Sequence, residues 1–245
     1  MTSTTATSEP VLAPQRRLYP IGVPSKFSPE GIVQRYPGNT TVCHIPSTSP
    51  LIPGQKNTYE RLRSHPTLSS RIHLLPPESW HMTIFDGVRE TECEPGMWPE
   101  GKEKQPLSET TAIFAERLKE LDLEKEGLGP PYRMRVRSFD GCIVGVGLEI
   151  EGATVEEEKR MRRLRDRLAD TLGFRAPNHE IYQFHISIAY LLRHIDGADR
   201  KDFENVIAEL LSGLQHEFEL GPVEFCTFEN MHAYPRLFYL GEQED

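Results

Sequence analysis

Cysteine is sparse in this chain and carries no pattern. Its four thiols, Cys43, Cys93, Cys142 and Cys226, are scattered through 245 residues with no C-x-x-C pair among them. Zinc-ribbon and dithiol redox chemistry therefore have no basis in the sequence, and the thiols are expected to be free, mostly buried and at home in a reducing compartment. Long apolar runs are missing too. No stretch reaches the roughly 18 apolar residues of a membrane-helix candidate, and the opening MTSTTATSEP lacks the basic start and apolar core of a secretory signal. A soluble cytoplasmic monomer that does not engage membranes is expected. Positive charge is also short: 28 Lys and Arg face 37 Asp and Glu, for a formal net charge of −9. Long duplex nucleic acid is a poor partner for such a chain, because phosphate neutralisation needs a clustered positive field. A few local cations would still serve a small phosphate ester. There is no G-x-G-x-x-G run. His44, His65, His73, His179, His194, His216 and His232 form no H-x-H or i, i+4 pair, so neither a metal nor a cofactor is expected.

What is present is a soluble mixture, 37% hydrophobic and 27% charged, long enough to bury a sizeable core. Residues 1–30 are rich in Ser, Thr and Pro and read as an extended arm; 31–245 read as a single domain. Strands are expected over 38–45 and 80–88. Helices are expected over 57–64, from a Ser108 cap to Leu121, and over 201–214. Residues 91–105 form a turn-rich loop long enough to be a lid. Residues 132–150 read as a hairpin around Asp140-Gly141. Thr154 followed by Glu157 is a capping-box signature for a helix to Leu172. Late strands follow in FELGPVEFCTF and RLFYL. Helices and strands interleave without a repeating βαβ rhythm, which makes the class α+β.

Three charged or small-residue patterns have two readings. Lys159, Arg160, Arg162, Arg163, Arg165 and Arg167 on the helix after Thr154 form either a phosphate face or, as favoured here, a solvated face balanced by acids. Arg133, Arg135 and Arg137 share a strand face that is solvated by default. Gly145 and Gly147 leave room for a ligand or for close strand packing.

One pattern occurs twice. WHMTI (80–84) and FHISI (184–188) both read apolar-His-apolar-hydroxyl-apolar. On independent frequencies two such matches are expected on the order of one time in a thousand. Residues two apart on a strand share a face, so His81 sits with Thr83 and His185 with Ser187, while Trp80, Met82, Ile84, Phe184, Ile186 and Ile188 face the core. A lone histidine on such a strand is more often a packed core residue than a catalyst. Two copies are harder to explain that way, because each buried polar group without a partner costs free energy. Two imidazoles can divide the roles of base and acid near neutral pH, and two hydroxyls can donate to oxygens where charge builds. A covalent Ser-His route is the rival. Alternation and proximity add Phe85, Gln183 and Tyr182 as candidate substrate contacts; Tyr182, out of phase with His185, is more readily a packing residue.

At these motifs the sequence resembles the 2H phosphoesterase superfamily, also described as RNA ligase/cyclic nucleotide phosphodiesterase-like proteins, which is defined by two His-x-Thr/Ser motifs flanked by apolar residues. The resemblance implies a bilobal, pseudo-symmetric α+β fold, with antiparallel sheets around a central cleft and helices outside. It implies metal-independent hydrolysis of a cyclic or linear phosphodiester, a nucleotide or an RNA end, with His81 and His185 as the acid/base pair and Thr83 and Ser187 holding the phosphate. Two other functions stay open: the same acid/base pair on a non-phosphate small molecule, and a module that binds a phosphoryl ligand without turnover.

Overall fold

The computed structural model describes residues 16–103, 105–140, 144–214 and 216–241. In chain order the elements are β1 (Gly38–His44), α1 (Ile52–Ser64), β2 (Ile72–Leu74), β3 (His81–Arg89), α2 (Leu107–Lys119), β4 (Tyr132–Phe139), β5 (Gly145–Gly152), α3 (Val155–Leu172), β6 (Phe184–Leu191), α4 (Gly197–Leu211), β7 (Glu217–Leu220), β8 (Glu224–Phe228) and β9 (Arg236–Tyr239). The strands form one antiparallel sheet in the order β7-β4-β5-β6-β3-β1-β8-β9, with β2 added on β6. The sheet curls into a half-barrel with the helices outside. The fold is α+β, as the sequence implies, and its two lobes share this one sheet: β3-β1-β8-β9 on one side and β6-β5-β4-β7 on the other. The two motif strands meet at its centre, paired through Met82 and Ile186.

The apolar halves of the motifs explain that meeting. Trp80, Met82, Ile84, Phe184, Ile186 and Ile188 are essentially solvent-free and belong to one large cluster with Leu148, Ile150, Leu164 and Leu168. Full burial of each such side chain stabilises the fold by about 1.5–3 kcal/mol. Helix α3 starts where the capping signature puts it: the Thr154 hydroxyl accepts from the Glu157 N–H at 3.1 Å. The return half of the box is not made, because the Glu157 carboxylate accepts from the Arg133 N–H instead. The helix ends at Gly173, whose φ of +79° suits the left-handed position after a helix.

Several boundaries differ from the sequence reading. Helix α1 begins five residues early, at Ile52, because Pro53 in its first turn starts a helix rather than breaking one. Ser108 does not cap α2; the capping position is Pro106, with no side-chain cap. Strand β2, three residues between irregular segments, is too short to show periodicity. The loop 91–105 is pinned rather than free: Trp98 is buried and its indole N–H donates to the carbonyls of Arg89 and Glu92, both at 3.0 Å. The hairpin β4–β5 forms, but Gly141 of its turn lies outside the described residues, as does Cys142. Cys43 and Cys226 are buried free thiols, and Cys93 is exposed. No helix among the described residues is long and apolar enough to cross a membrane.

The described part of the N-terminal arm lies against the domain. Phe27 is fully buried in a second cluster with Tyr36, Leu75, Leu192, Phe228 and Met231. Arg16 pairs with Asp196 at 2.9 Å.

Candidate active site

Each motif histidine is oriented in the same way. The Nδ1–H of His81 donates to the Ser79 carbonyl at 2.7 Å, and that of His185 to the Gln183 carbonyl at 3.1 Å. A carbonyl only accepts, so both rings carry the proton on Nδ1, and in the neutral form Nε2 is left as an acceptor. His81, Thr83, His185 and Ser187 line one cavity of about 470 Å³, a size suited to a small ligand. Gln183 and Tyr182 line it as well.

The strands then break their alternation in the same place. On β3, Val42 of β1 pairs with Thr83 but Thr41 pairs with Phe85, so β3 carries an extra residue immediately after its hydroxyl. On β6, Gly147 of β5 pairs with Ser187 but Val146 pairs with Ala189, which is the same bulge. A bulge re-aims every side chain beyond it. Asp86 and Tyr190, each five residues after its motif histidine, therefore line the cavity. A second bulge, between Asp86 and Arg89, brings Arg89 in as well. The disturbed backbone is satisfied by side chains: Thr41 Oγ1 accepts from the Phe85 N–H, Asn39 Oδ1 from the Val88 N–H, and Arg165 Nη1 donates to the Ile84 carbonyl at 2.5 Å.

These bulges correct the expectation for Phe85. It does not face the cavity. It is buried, with its ring edge-on to Phe174 at 5.3 Å and near His179. Gln183 lines the cavity while its amide donates to the Ile150 carbonyl at 3.0 Å. Tyr182 reaches the cavity because β6 begins only at Phe184. The preceding residues form a 3-10 turn, so strand phase does not apply to it. Its hydroxyl is buried beside Thr83 without a well-formed hydrogen bond. Its ring faces the Arg165 guanidinium at 3.6 Å.

Arg165 thus departs from the solvated reading of the α3 charges: it is fully buried. Its neighbours follow that reading, since Arg160 pairs with Glu157, Arg162 with Glu158 and Arg167 with Glu126. Arg133, Arg135 and Arg137 are exposed. The glycines of β5 serve close packing. A Cβ on Gly145 would stand 2.1 Å from the Ala189 carbonyl, and one on Gly147 would stand 2.8 Å from that of Ile186.

The two histidines differ in surroundings. His81 is crowded by Tyr234, edge-on at 4.1 Å, and by His44 at 5.9 Å. Burial pushes its pKa down to about 4, against the opposing pull of the Ser79 hydrogen bond. His185 lies across from Glu149 in the β5–β6 register, and the Glu149 carboxylate, which accepts from Ser138 Oγ at 2.6 Å, lines the same cavity. Arg89 is engaged by Asp86 at 2.8 Å and Glu92 at 3.1 Å. Away from the cavity, two groups among the described residues have metal-like donor sets, His44/Glu224/Cys226 and Asp166/His179/Glu180. Each already holds a cation: Arg236 on Glu224 and Arg175 on Asp166.

Residues 26–142 match the family model 2H-phosphodiest, described as a domain of unknown function (DUF1868). Over that stretch, just under half of its 245 residues, the chain is similar to this family. The matched stretch holds WHMTI, and FHISI stands beyond it. No curated protein matches the chain. Among solved structures, a conserved protein of unknown function, ATU0111 from Agrobacterium tumefaciens str. C58, is similar at TM-score 0.82 and 28% identity, over 92% of this chain and 94% of that one. TT0787 of Thermus thermophilus matches at TM-score 0.43 and 14% identity, over 86% of this chain and 100% of that one.

Proposed function

We propose that this 2H phosphoesterase-like chain hydrolyses a small cyclic or linear phosphodiester, a nucleotide or an RNA end, with His81 and His185 as its acid/base pair. One observation carries the reading: both rings are locked by an i−2 carbonyl so that Nε2 is the free nitrogen, on two strands whose cavity-facing side chains include the hydroxyls of Thr83 and Ser187.

The low pKa of His81 supports the following division of roles. Neutral His81 accepts a proton at Nε2 from the attacking water as its oxygen bonds to phosphorus. His185, protonated at Nε2 with Glu149 on the neighbouring strand, gives that proton to the leaving oxygen as its bond to phosphorus breaks. The Thr83 and Ser187 hydroxyls donate to the non-bridging oxygens, where negative charge grows. A bound phosphate ester also favours a protonated ring beside it, so the His81 pKa rises toward the working range once substrate is present.

Incubation with 2′,3′-cyclic nucleotides and short RNAs, followed by product analysis, tests the reading directly. Ring opening that persists in Ser187→Ala, with no trappable phosphoryl-enzyme in the parent, is the expected result. A stable phosphoserine adduct at Ser187, or ligand binding without any product, contradicts it.

A further inference from the structure

The N-terminal arm contributes Ile21 and Lys26 to the cavity, and the polar groups around Lys26 have an unusual deficit. Lys26 lines the cavity with its ammonium 3.3 Å from the Tyr190 hydroxyl, lying over the rings of Tyr190 at 4.9 Å and Tyr36 at 5.2 Å. Among the described residues it has no carboxylate partner, whereas Arg89, the other cation lining the cavity, has two. As donors, the hydroxyls of Tyr190 and Tyr234 reach, among the described residues, the Met231 sulfur at 3.5 and 3.4 Å. A thioether is a weak acceptor. Although Asp86 and Glu149 also line the cavity, none of these three donors therefore has a carboxylate or carbonyl as its hydrogen-bond acceptor among the described residues. They are also continuous with the motif site, since the Tyr234 ring touches that of His81.

Lys26 is held in place. The Lys26 N–H donates to the Gly22 carbonyl at 2.7 Å, and its own carbonyl accepts from the Gln34 N–H at 2.9 Å. Phe27 anchors the loop in the apolar cluster, 4.3 Å from the His73 ring. Gly22 sits at φ +100°, where a side chain is strained, and a Cβ there would touch Tyr190. The cost of ordering this segment is met on folding, which favours binding.

We infer that Lys26, with the Tyr190 and Tyr234 hydroxyls, forms a second anion subsite, and that the substrate carries a further phosphate beyond the ester being cleaved. This rests on the phosphodiesterase reading of the motif site. A lysine serves such a phosphate as a point charge, and the Tyr36, Tyr190 and Tyr234 rings lining the same cavity suit the body of a nucleotide.

The test uses the full chain and paired probes differing by one phosphate. Adenosine 3′,5′-bisphosphate should bind at least tenfold tighter than adenosine 3′-monophosphate by calorimetry. Likewise, kcat/KM should favour a 5′-phosphorylated 2′,3′-cyclic nucleotide over its unphosphorylated counterpart. Lys26→Gln should bring both ratios close to one, Lys26→Arg should restore most of the preference, and Tyr190→Phe should reduce it severalfold, with thermal melts confirming folded variants. Equal losses on both members of each pair, or unchanged ratios in Lys26→Gln, overturn the subsite. Absence of turnover with the bisphosphate advantage intact overturns the phosphodiesterase reading and leaves the subsite standing.

Discussion

Strands β3 and β6 repeat one device. Each carries a histidine, first in β3 and second in β6, held by an i−2 carbonyl, presents a hydroxyl two residues later, and then carries a bulge. Their surroundings do not repeat. His81 is enclosed by Tyr234 and His44, while His185 has Glu149 across the ladder and the Tyr182 ring at 6.0 Å. The bulges widen the difference: the same offset delivers an aspartate, Asp86, from one strand and a tyrosine, Tyr190, from the other. In the proposed division of roles, His81, whose burial favours the neutral ring, accepts the proton, and His185 gives one.

The comparison is sharpened most by removing one ring at a time. His81→Ala and His185→Ala should each lower kcat by about 10²–10⁴. Thr83→Ala and Ser187→Ala should cost less, about 10–10³, since each removes one of several donors. If the lobes work as equals around one phosphate, those two losses should lie within an order of magnitude of one another; steady-state kinetics would reveal a lopsided site.

The pH response separates the rings further. His81 has a folded pKa of about 4, below its value of about 6.5 in an unfolded chain. The unfolded chain therefore binds this proton first as pH falls, and the stability tied to a neutral His81 is lost between about pH 6.5 and pH 4. His81→Gln should flatten that part of the melting temperature profile; a slope equal to the parent's would refute the burial argument. The smallest effect belongs outside the site. Thr154→Ala removes the α3 cap, at a cost of about 1 kcal/mol in denaturant unfolding, with kinetics unchanged.

The sequence made both motifs, the α+β class, the α3 start and the hairpin strands legible, because each rests on a local pattern of spacing, caps and alternation. It could not reveal Asp86 or Arg89 in the cavity, nor Phe85 in the core, because the bulges that place them are defined by the pairing of β1 with β3. Arg165 was hidden among charges of like appearance. Its burial follows from the Ile84 carbonyl it must satisfy, a tertiary fact. Lys26 lay in a segment whose composition reads as structureless. Phe27, one large apolar residue amid Pro and Ser, was the available sign that the arm is anchored.

In the proposed mechanism His81 and His185 act as one unit on one phosphodiester. The most direct measurement is a double-mutant cycle on kcat/KM for a 2′,3′-cyclic nucleotide, using His81→Ala, His185→Ala and the pair. The double mutant should be little worse than either single one, because losing one partner already disables the other. Losses that multiply would show two independent contributions, and a single mutant with parental activity would remove that histidine from the chemistry; either result rules out a paired mechanism.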